Sequence, residues 1–419
     1  MHATLPASLA PIAHAERIQA LDVVRGFALL GILLMNIEGM AGPLMVALLG
    51  VDPTLTGIDH GADALIYIFV QGKFYVLFSL LFGMGFAVMA RRAQASGRPF
   101  AGVYWRRGLV LLGIGLVHAL LVWSGDILVS YALLSFFLLA FRDVPTRWLP
   151  WLAMLAYVAP SGLMLAWGAL GSAMQLTPET ATEWNKAMAG QGEMMAALLE
   201  GQRQAYGAGG FLEATVQRAR DLGFMLMNLP VVGAQVFAMF LLGMWFVKTD
   251  AMAQPDQHPR LFKRLRHVAL PIGLALMLGS FALQPTLDLD DVDFTLGVAF
   301  ALSMVGSLLM ALGYLGWIVH ALQSPAWARR LAWLAPAGRM ALTNYLLQSL
   351  VCTLVFYHYG LGYFEQLARA WQVPFVLALF LAQVLLSRGW LRRFRFGPME
   401  WLWRSLTYLK PQPMRLQAA

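Results

Sequence analysis

Apolar residues gather along this chain in long blocks, and most polar residues fall between them. A bilayer core of about 30 Å is crossed by ~20 mostly apolar residues in a helix. On that measure the pattern predicts ten spanning helices, at roughly 21–40, 64–90, 107–124, 127–141, 148–170, 222–247, 267–284, 294–320, 339–358 and 373–391. The fourth is short, and Ser124-Gly125-Asp126 before it reads as the turn of a tight helical hairpin. Residues 1–16 lack a charged head followed by an apolar run, so no cleaved signal peptide is expected, and the first span is expected to target the chain. The fold class is all-α: a polytopic membrane protein forming a single integral membrane domain over 1–419.

Composition agrees. Of 419 residues, 59% are hydrophobic and 12% charged, against about 25% charged in average soluble domains. That excludes an ordinary soluble enzyme, a disordered chain and a nucleic-acid binder. The single cysteine, Cys352, rules out an intrachain disulfide and a cysteine metal cluster, and no metal is expected.

The net charge is +8, and its placement decides its meaning. Under the ten-span arrangement, 24 of the 30 Lys and Arg fall on the side holding both termini. Lys186, Arg203, Arg218, Arg220 and Arg369 fall on the other, and Lys73 alone lies within a span. By the positive-inside rule both termini are cytoplasmic and the number of spans is even. Reporter fusions after Val247 and after Trp390 are therefore expected to be cytoplasmic, and a fusion near Gly190 exported. An exported reporter at either of the first two sites would overturn the arrangement.

The outer side carries acids instead, including Asp52, Asp59, Asp63, Asp126 and the run from Asp288 to Asp293. The long outer loop 171–221 opens with Thr177-Pro178-Glu179, an N-cap followed by a proline at the first helical position. Helical spacing of Trp184, Met188, Met194, Met195, Leu198 and Leu199 predicts amphipathic helices over the outer mouth, or a solvated cap that merely joins two halves. Segment 397–410, with Glu400-Trp401-Leu402-Trp403-Arg404, reads as an interfacial helix anchored on the cytoplasmic leaflet. Phe82-Gly83-Met84-Gly85-Phe86 and Leu242-Gly243-Met244-Trp245-Phe246 both end inward-running spans. They fit either a duplicated five-span unit or ordinary small-residue helix contacts.

A charge inside a bilayer costs at least about 2.5–3.5 kcal/mol, so each needs a reason. In the first span Asp22, Arg25 and Asn36 share a helix face. They read as a border ion pair with an interhelical amide, or as a polar wall leading in from the cytoplasm. Lys73 needs a carboxylate, a phosphate or water. His118 reads either as a satisfied core histidine or as a general base that titrates near neutral pH. On a straight helix Asp126 lies about 12 Å from His118, so without a break at Gly125 it lines the outer mouth. Asn344 and Gln348 share a face of the ninth span, which Arg339 opens from the cytoplasm. Lys73 and His118 fall at similar depth on neighbouring spans and are expected to face one cavity, so His118→Ala and Lys73→Met should each abolish activity. His60 and His358 lie near the outer surface. Motifs of zincins, P-loop enzymes, GxSxG hydrolases and CxxC redox proteins do not occur.

The motif Arg17-x3-Leu21-Asp22-x2-Arg25-Gly26 with Asn36 resembles the opening of the YeiB family of bacterial inner-membrane proteins, which carry the domain of unknown function 418. Gly72-Lys73-Phe74, Gly115-x2-His118, Gly125-Asp126-Ile127-Leu128-x2-Tyr131, Gly338-Arg339-Met340-x-Leu342-Thr343-Asn344-Tyr345 and Gly397-Pro398-x-Glu400-Trp401-x-Trp403-Arg404 extend the resemblance over most of the chain. The opening is also similar to that of transmembrane acyltransferases such as heparan-alpha-glucosaminide N-acetyltransferase. His60 stands near the place of the catalytic histidine in those enzymes. The resemblance implies a multi-pass protein of the bacterial inner membrane that moves an acyl group from cytoplasmic acyl-CoA to a sugar, glycan or lipid acceptor outside. In that scheme Arg25 and Arg339, with Arg106 and Arg107, hold donor phosphates. Lys73, Asn36 or Asn344 steadies the oxyanion, and His118 or His60 takes the acceptor proton. The rival readings are a transporter or flippase of a polar or lipid-linked substrate, and a structural partner of an envelope complex.

Overall fold

The computed structural model describes residues 19–97, 100–288 and 291–416. Arg17, Arg98, Asp290 and residues 1–16, used in the readings above, lie outside the described residues.

The described chain is helical, with two isolated β-bridges, Gly50–Thr286 and Phe394–Arg415. Helix α1 (Gln19–Ala41) is followed by α2 (Gly57–Phe69), α3 (Lys73–Ala95), α4 (Ala101–Leu121), α5 (Leu128–Leu138) and α6 (Leu149–Met174). Next come α7 (Pro178–Gly207), α8 (Phe211–Met227) and α9 (Leu229–Lys248). Then come α10 (Pro259–Arg264), α11 (Leu270–Leu283), α12 (Phe294–Leu322), α13 (Pro325–Leu331) and α14 (Ala335–Arg339). Helices α15 (Ala341–Phe356), α16 (Arg369–Trp390) and α17 (Pro398–Tyr408) complete the chain. Among the described residues, eight helical stretches are long and apolar enough to cross a membrane. The shorter apolar helices Leu128–Phe141 and Ala341–Phe356 fall on the fourth and ninth expected spans.

Several expected borders move, each for a local reason. The stretch 64–90 is broken where Gly72 takes a left-handed conformation (φ 82°), so Lys73 is the first residue of α3 rather than a mid-span residue. The stretch 222–247 divides at Asn228, because Pro230 suits the first turn of a new helix and has no N–H to continue the old one. Near residue 340 the backbone leaves the helix at Met340 (φ −110°, ψ 35°) and α15 starts afresh.

Glycines set two close helix approaches that bear on the site. A Cβ on Gly83 would strike the Phe240 carbonyl, and one on Gly243 the Leu80 carbonyl. The two similar glycine stretches are thus the α3–α9 contact, where small residues let backbones touch. Likewise a Cβ on Gly338 would strike the Asp22 carbonyl, and one on Gly26 the Leu334 carbonyl. Helix α14 therefore lies against α1, which puts Arg339 beside the polar start of the first span.

The α7–α8 segment is packed rather than merely solvated. The Thr177 hydroxyl caps α7 by accepting from the Thr180 amide at 3.4 Å. Trp184 and Met188 are buried with Val292 and Leu296, and Met195, Leu198 and Leu199 pack on the cluster around Trp123 and Tyr206. Met194 stays exposed. Where α1, α2 and α16 meet, buried Arg369 donates to Asp63 at 2.8 Å, to Glu38 at 2.9 Å and to Gln372 at 2.7 Å.

Candidate functional site

Helix α4 ends where the amides of Val122 and Trp123 both donate to the His118 carbonyl, each at 2.9 Å. The Trp123 indole donates to the Gly39 carbonyl at 3.0 Å, which pins the turn to α1. The chain then doubles back and brings Asp126 onto His118, with Nδ1 and Oδ2 2.6 Å apart. Asp126 therefore does not line the outer mouth: the turn at 122–127 supplies the break that a straight helix lacks. Its other oxygen accepts from the Val129 amide at 2.8 Å and so holds the first turn of α5. Both side chains are buried, and His118 Nε2 has no hydrogen-bond partner among the described residues. A carboxylate on Nδ1 places the proton there and leaves the Nε2 lone pair free, the tautomer a general base requires.

The Tyr345 ring lies 5.3 Å from that of His118, and its hydroxyl accepts from the Ile127 amide at 3.3 Å. Tyr345 and Ile127 both line a cavity of about 190 Å³. Aromatic residues such as Phe82 and Tyr131 form part of its walls, while Arg25, Arg107, Arg339 and Arg404 supply its positive charge. Asp22 bonds Arg25 at 2.9 Å.

Helix α17 packs against α4 and the start of α15. The Trp403 indole donates to the Arg107 carbonyl at 3.0 Å, and the Arg107 guanidinium lies 3.7 Å from the Trp403 ring centroid. Glu400 accepts from the amides of Leu342 (2.7 Å) and Thr343 (3.2 Å) and from the Thr343 hydroxyl (2.6 Å). It thereby satisfies amides left open at the start of α15. Burial pushes the Glu400 carboxyl above the usual carboxylate range, and these bonds oppose that shift.

The other sequence candidates are dispersed. Asn36 is half-buried on α1 and does not line the cavity. The Asn344 amide donates to the Ala337 carbonyl (3.1 Å) and to Ser387 (2.9 Å), and Gln348 donates to Gln383 (2.9 Å), so these amides join helices. Lys73 is fully buried and donates to the Tyr67 carbonyl at 2.7 Å. No hydrogen bond or ring contact joins it to His118, because the break at Gly72 turns it back towards its own preceding helix. His60 is half-buried on α2, whose Asp59 accepts from the Ala370 amide at 2.8 Å.

Sequence reasoning missed the support that α8 gives the turn. Ser124 donates to Asp221 of α8 at 2.9 Å, and Asp221 also accepts from Tyr206 (2.5 Å) and Gln217 (2.9 Å). Asp221 carries no motif or spacing signal in the sequence. Tyr345, Glu400, Trp403 and Arg404 lay within the quoted motifs, but motif membership alone assigned them no place in the site.

Residues 246–410 match the family model described as Protein of unknown function (DUF418). The chain is 34% identical to Uncharacterized protein YxaH of Bacillus subtilis (strain 168), over 97% of this chain and 98% of that one. It is also 34% identical to Uncharacterized protein YeiB of Escherichia coli (strain K12), over 94% and 96% respectively. No solved structure matches the chain. The matched segment carries Arg339, Tyr345, Glu400, Trp403 and Arg404, whereas His118, Asp126, Arg25 and Arg107 lie outside it. With this identity over nearly the whole length, the all-helical membrane chain belongs to the DUF418 family together with YeiB and YxaH.

Proposed function

We propose that the protein is a transmembrane acyltransferase of the bacterial inner membrane, using cytoplasmic acyl-CoA to acylate a hydroxyl or amine presented from the outer side. The observation that carries this reading is the buried His118–Asp126 pair, with Nε2 unpartnered, beside an arginine-bearing cavity. The arginines suit the donor's phosphates through charge-assisted hydrogen bonds, and the aromatic walls suit its uncharged arm and acyl group. His118 Nε2 takes the acceptor's proton as the acceptor oxygen or nitrogen attacks the thioester carbonyl. The carbon–sulfur bond then breaks, and the thiolate leaves and is protonated. Asp126 holds the imidazole in place and stabilises the imidazolium formed.

The direct test incubates purified protein in nanodiscs with labelled acyl-CoA and candidate acceptors. Acceptor-dependent thiol release is the expected result, and silence across a broad donor set would sink the proposal. Arg25→Gln and Arg107→Gln are each expected to raise the donor KM about tenfold, since a hydrogen bond to a charged group contributes ~1.5–3 kcal/mol. An unchanged donor KM in both variants would remove the arginines from the donor site.

A second reading, transport without covalent change, is favoured by the break at Gly72. Discontinuous helices with exposed half-helix ends build substrate sites in many transporters. Solute exchange across proteoliposomes without thiol release would select it.

A further inference from the structure

Beneath the outer cap lies a layer with more buried donors than acceptors. Arg218 of α8 is fully buried, and among the described residues its hydrogen bonds go only to hydroxyls: Tyr359 at 2.6 Å and Thr215 at 3.3 Å. Its Nε has no hydrogen-bond partner. The guanidinium carbon lies 5.3–5.6 Å from the ring centroids of Phe211, Tyr357 and Tyr359. The Tyr357 hydroxyl, also buried, is unpartnered, and its ring stacks on Tyr206 at 4.5 Å. One turn from Tyr206, Gln202 spends its oxygen on the Met45 amide, which leaves its buried Nε2 without a partner.

The nearby Asp221 carboxyl does not meet this demand. Asp221 is already taken up by Ser124, Tyr206 and Gln217. A buried cation without a carboxylate, with two further unsatisfied donors in the same layer, is costly for the protein alone. An oxygen-rich anion removes that cost, and Arg matches carboxylate and phosphate geometry. The Asp221 carboxyl, three residues further along α8 and not bonded to Arg218, disfavours a second negative charge on the ligand.

We propose that this layer binds a single monoanionic oxygen group, a carboxylate or a phosphodiester, carried by the outer-side acceptor. Ser124 and Asp126 flank Gly125 in one turn, so the bond from Ser124 to Asp221 places the layer next to the His118–Asp126 pair. Assigning the ligand as the acceptor rests on the acyltransferase reading; the binding itself does not.

The test uses full-length protein in phosphatidylcholine nanodiscs, with acetate and dimethyl phosphate as probes and chloride as the control at equal ionic strength. The thermal midpoint is expected to rise saturably with one or both probes and not with chloride; which probe acts separates carboxylate from phosphodiester. Arg218→Gln is expected to weaken that binding at least tenfold. Tyr357→Phe removes only the unpartnered hydroxyl, so it should keep or raise the unliganded midpoint while weakening the probe about threefold or more. It decides the matter if Arg218→Gln does not fold. His118→Ala should bind the probes normally, and no step needs an acyl donor, so a silent transferase assay leaves this result standing. Water satisfying the donors would give no saturable shift and overturn the proposal. So would a shift that both variants retain.

Discussion

Asp126→Asn is expected to lower acyl transfer by about 10²–10⁴-fold, the usual contribution of a positioned general base. The amide can still hold the turn by accepting from the Val129 amide, which now bonds the Asp126 carboxylate at 2.8 Å. Towards His118, however, it presents an N–H, which favours the tautomer whose proton sits on Nε2 and leaves no base there. His118→Ala should lose activity on the same scale, with membrane insertion unchanged. The measurement is thiol release under saturating donor and acceptor, with the donor KM read separately. A donor KM near wild type with kcat collapsed is the expected split, because the arginines that hold the donor are untouched. If either variant keeps more than about a tenth of wild-type kcat, the pair is not the base.

The second large effect is on stability. Arg369→Leu leaves Asp63 and Glu38 without the cation that bonds them at 2.8 and 2.9 Å. Stranding buried charges in this way costs about 3–5 kcal/mol, a large share of the ~5–15 kcal/mol that holds a typical domain together. Unfolding in detergent should show this as a markedly lower midpoint. Adding Asp63→Asn and Glu38→Gln to the variant should recover much of the loss, since the stranded charges are then gone. A single variant as stable as wild type would show that the network carries no net weight.

Glu400 shows how a site residue can be present in a sequence pattern while its role is not. It stands in a block that the sequence reads as an interfacial anchor. In the structure it is a buried cap on another helix, 58 residues away in sequence from Leu342. Lys73 shows the reverse. Its burial was legible from its position in an apolar stretch, but its partner, the Tyr67 carbonyl, depends on a break at Gly72 that hydropathy does not register.

The sequence by itself determined that the chain is helical and built for a membrane, and where most of its apolar helices lie. Those properties follow from local composition, since each helix closes its own backbone hydrogen bonds and needs only a lipid-facing length. It also singled out Asp22, Arg25, His118 and Arg339, because a polar group inside an apolar run is costly wherever it lies. Only the tertiary structure decided which of these meet. Asp126 reaches His118 because the chain reverses at 122–127, and Arg25 and Arg339 share a cavity because Gly26 and Gly338 let α14 lie against α1. Both depend on turns and close approaches between segments far apart in the chain. Periodicity averages over a helix and carries no information about what that helix will touch.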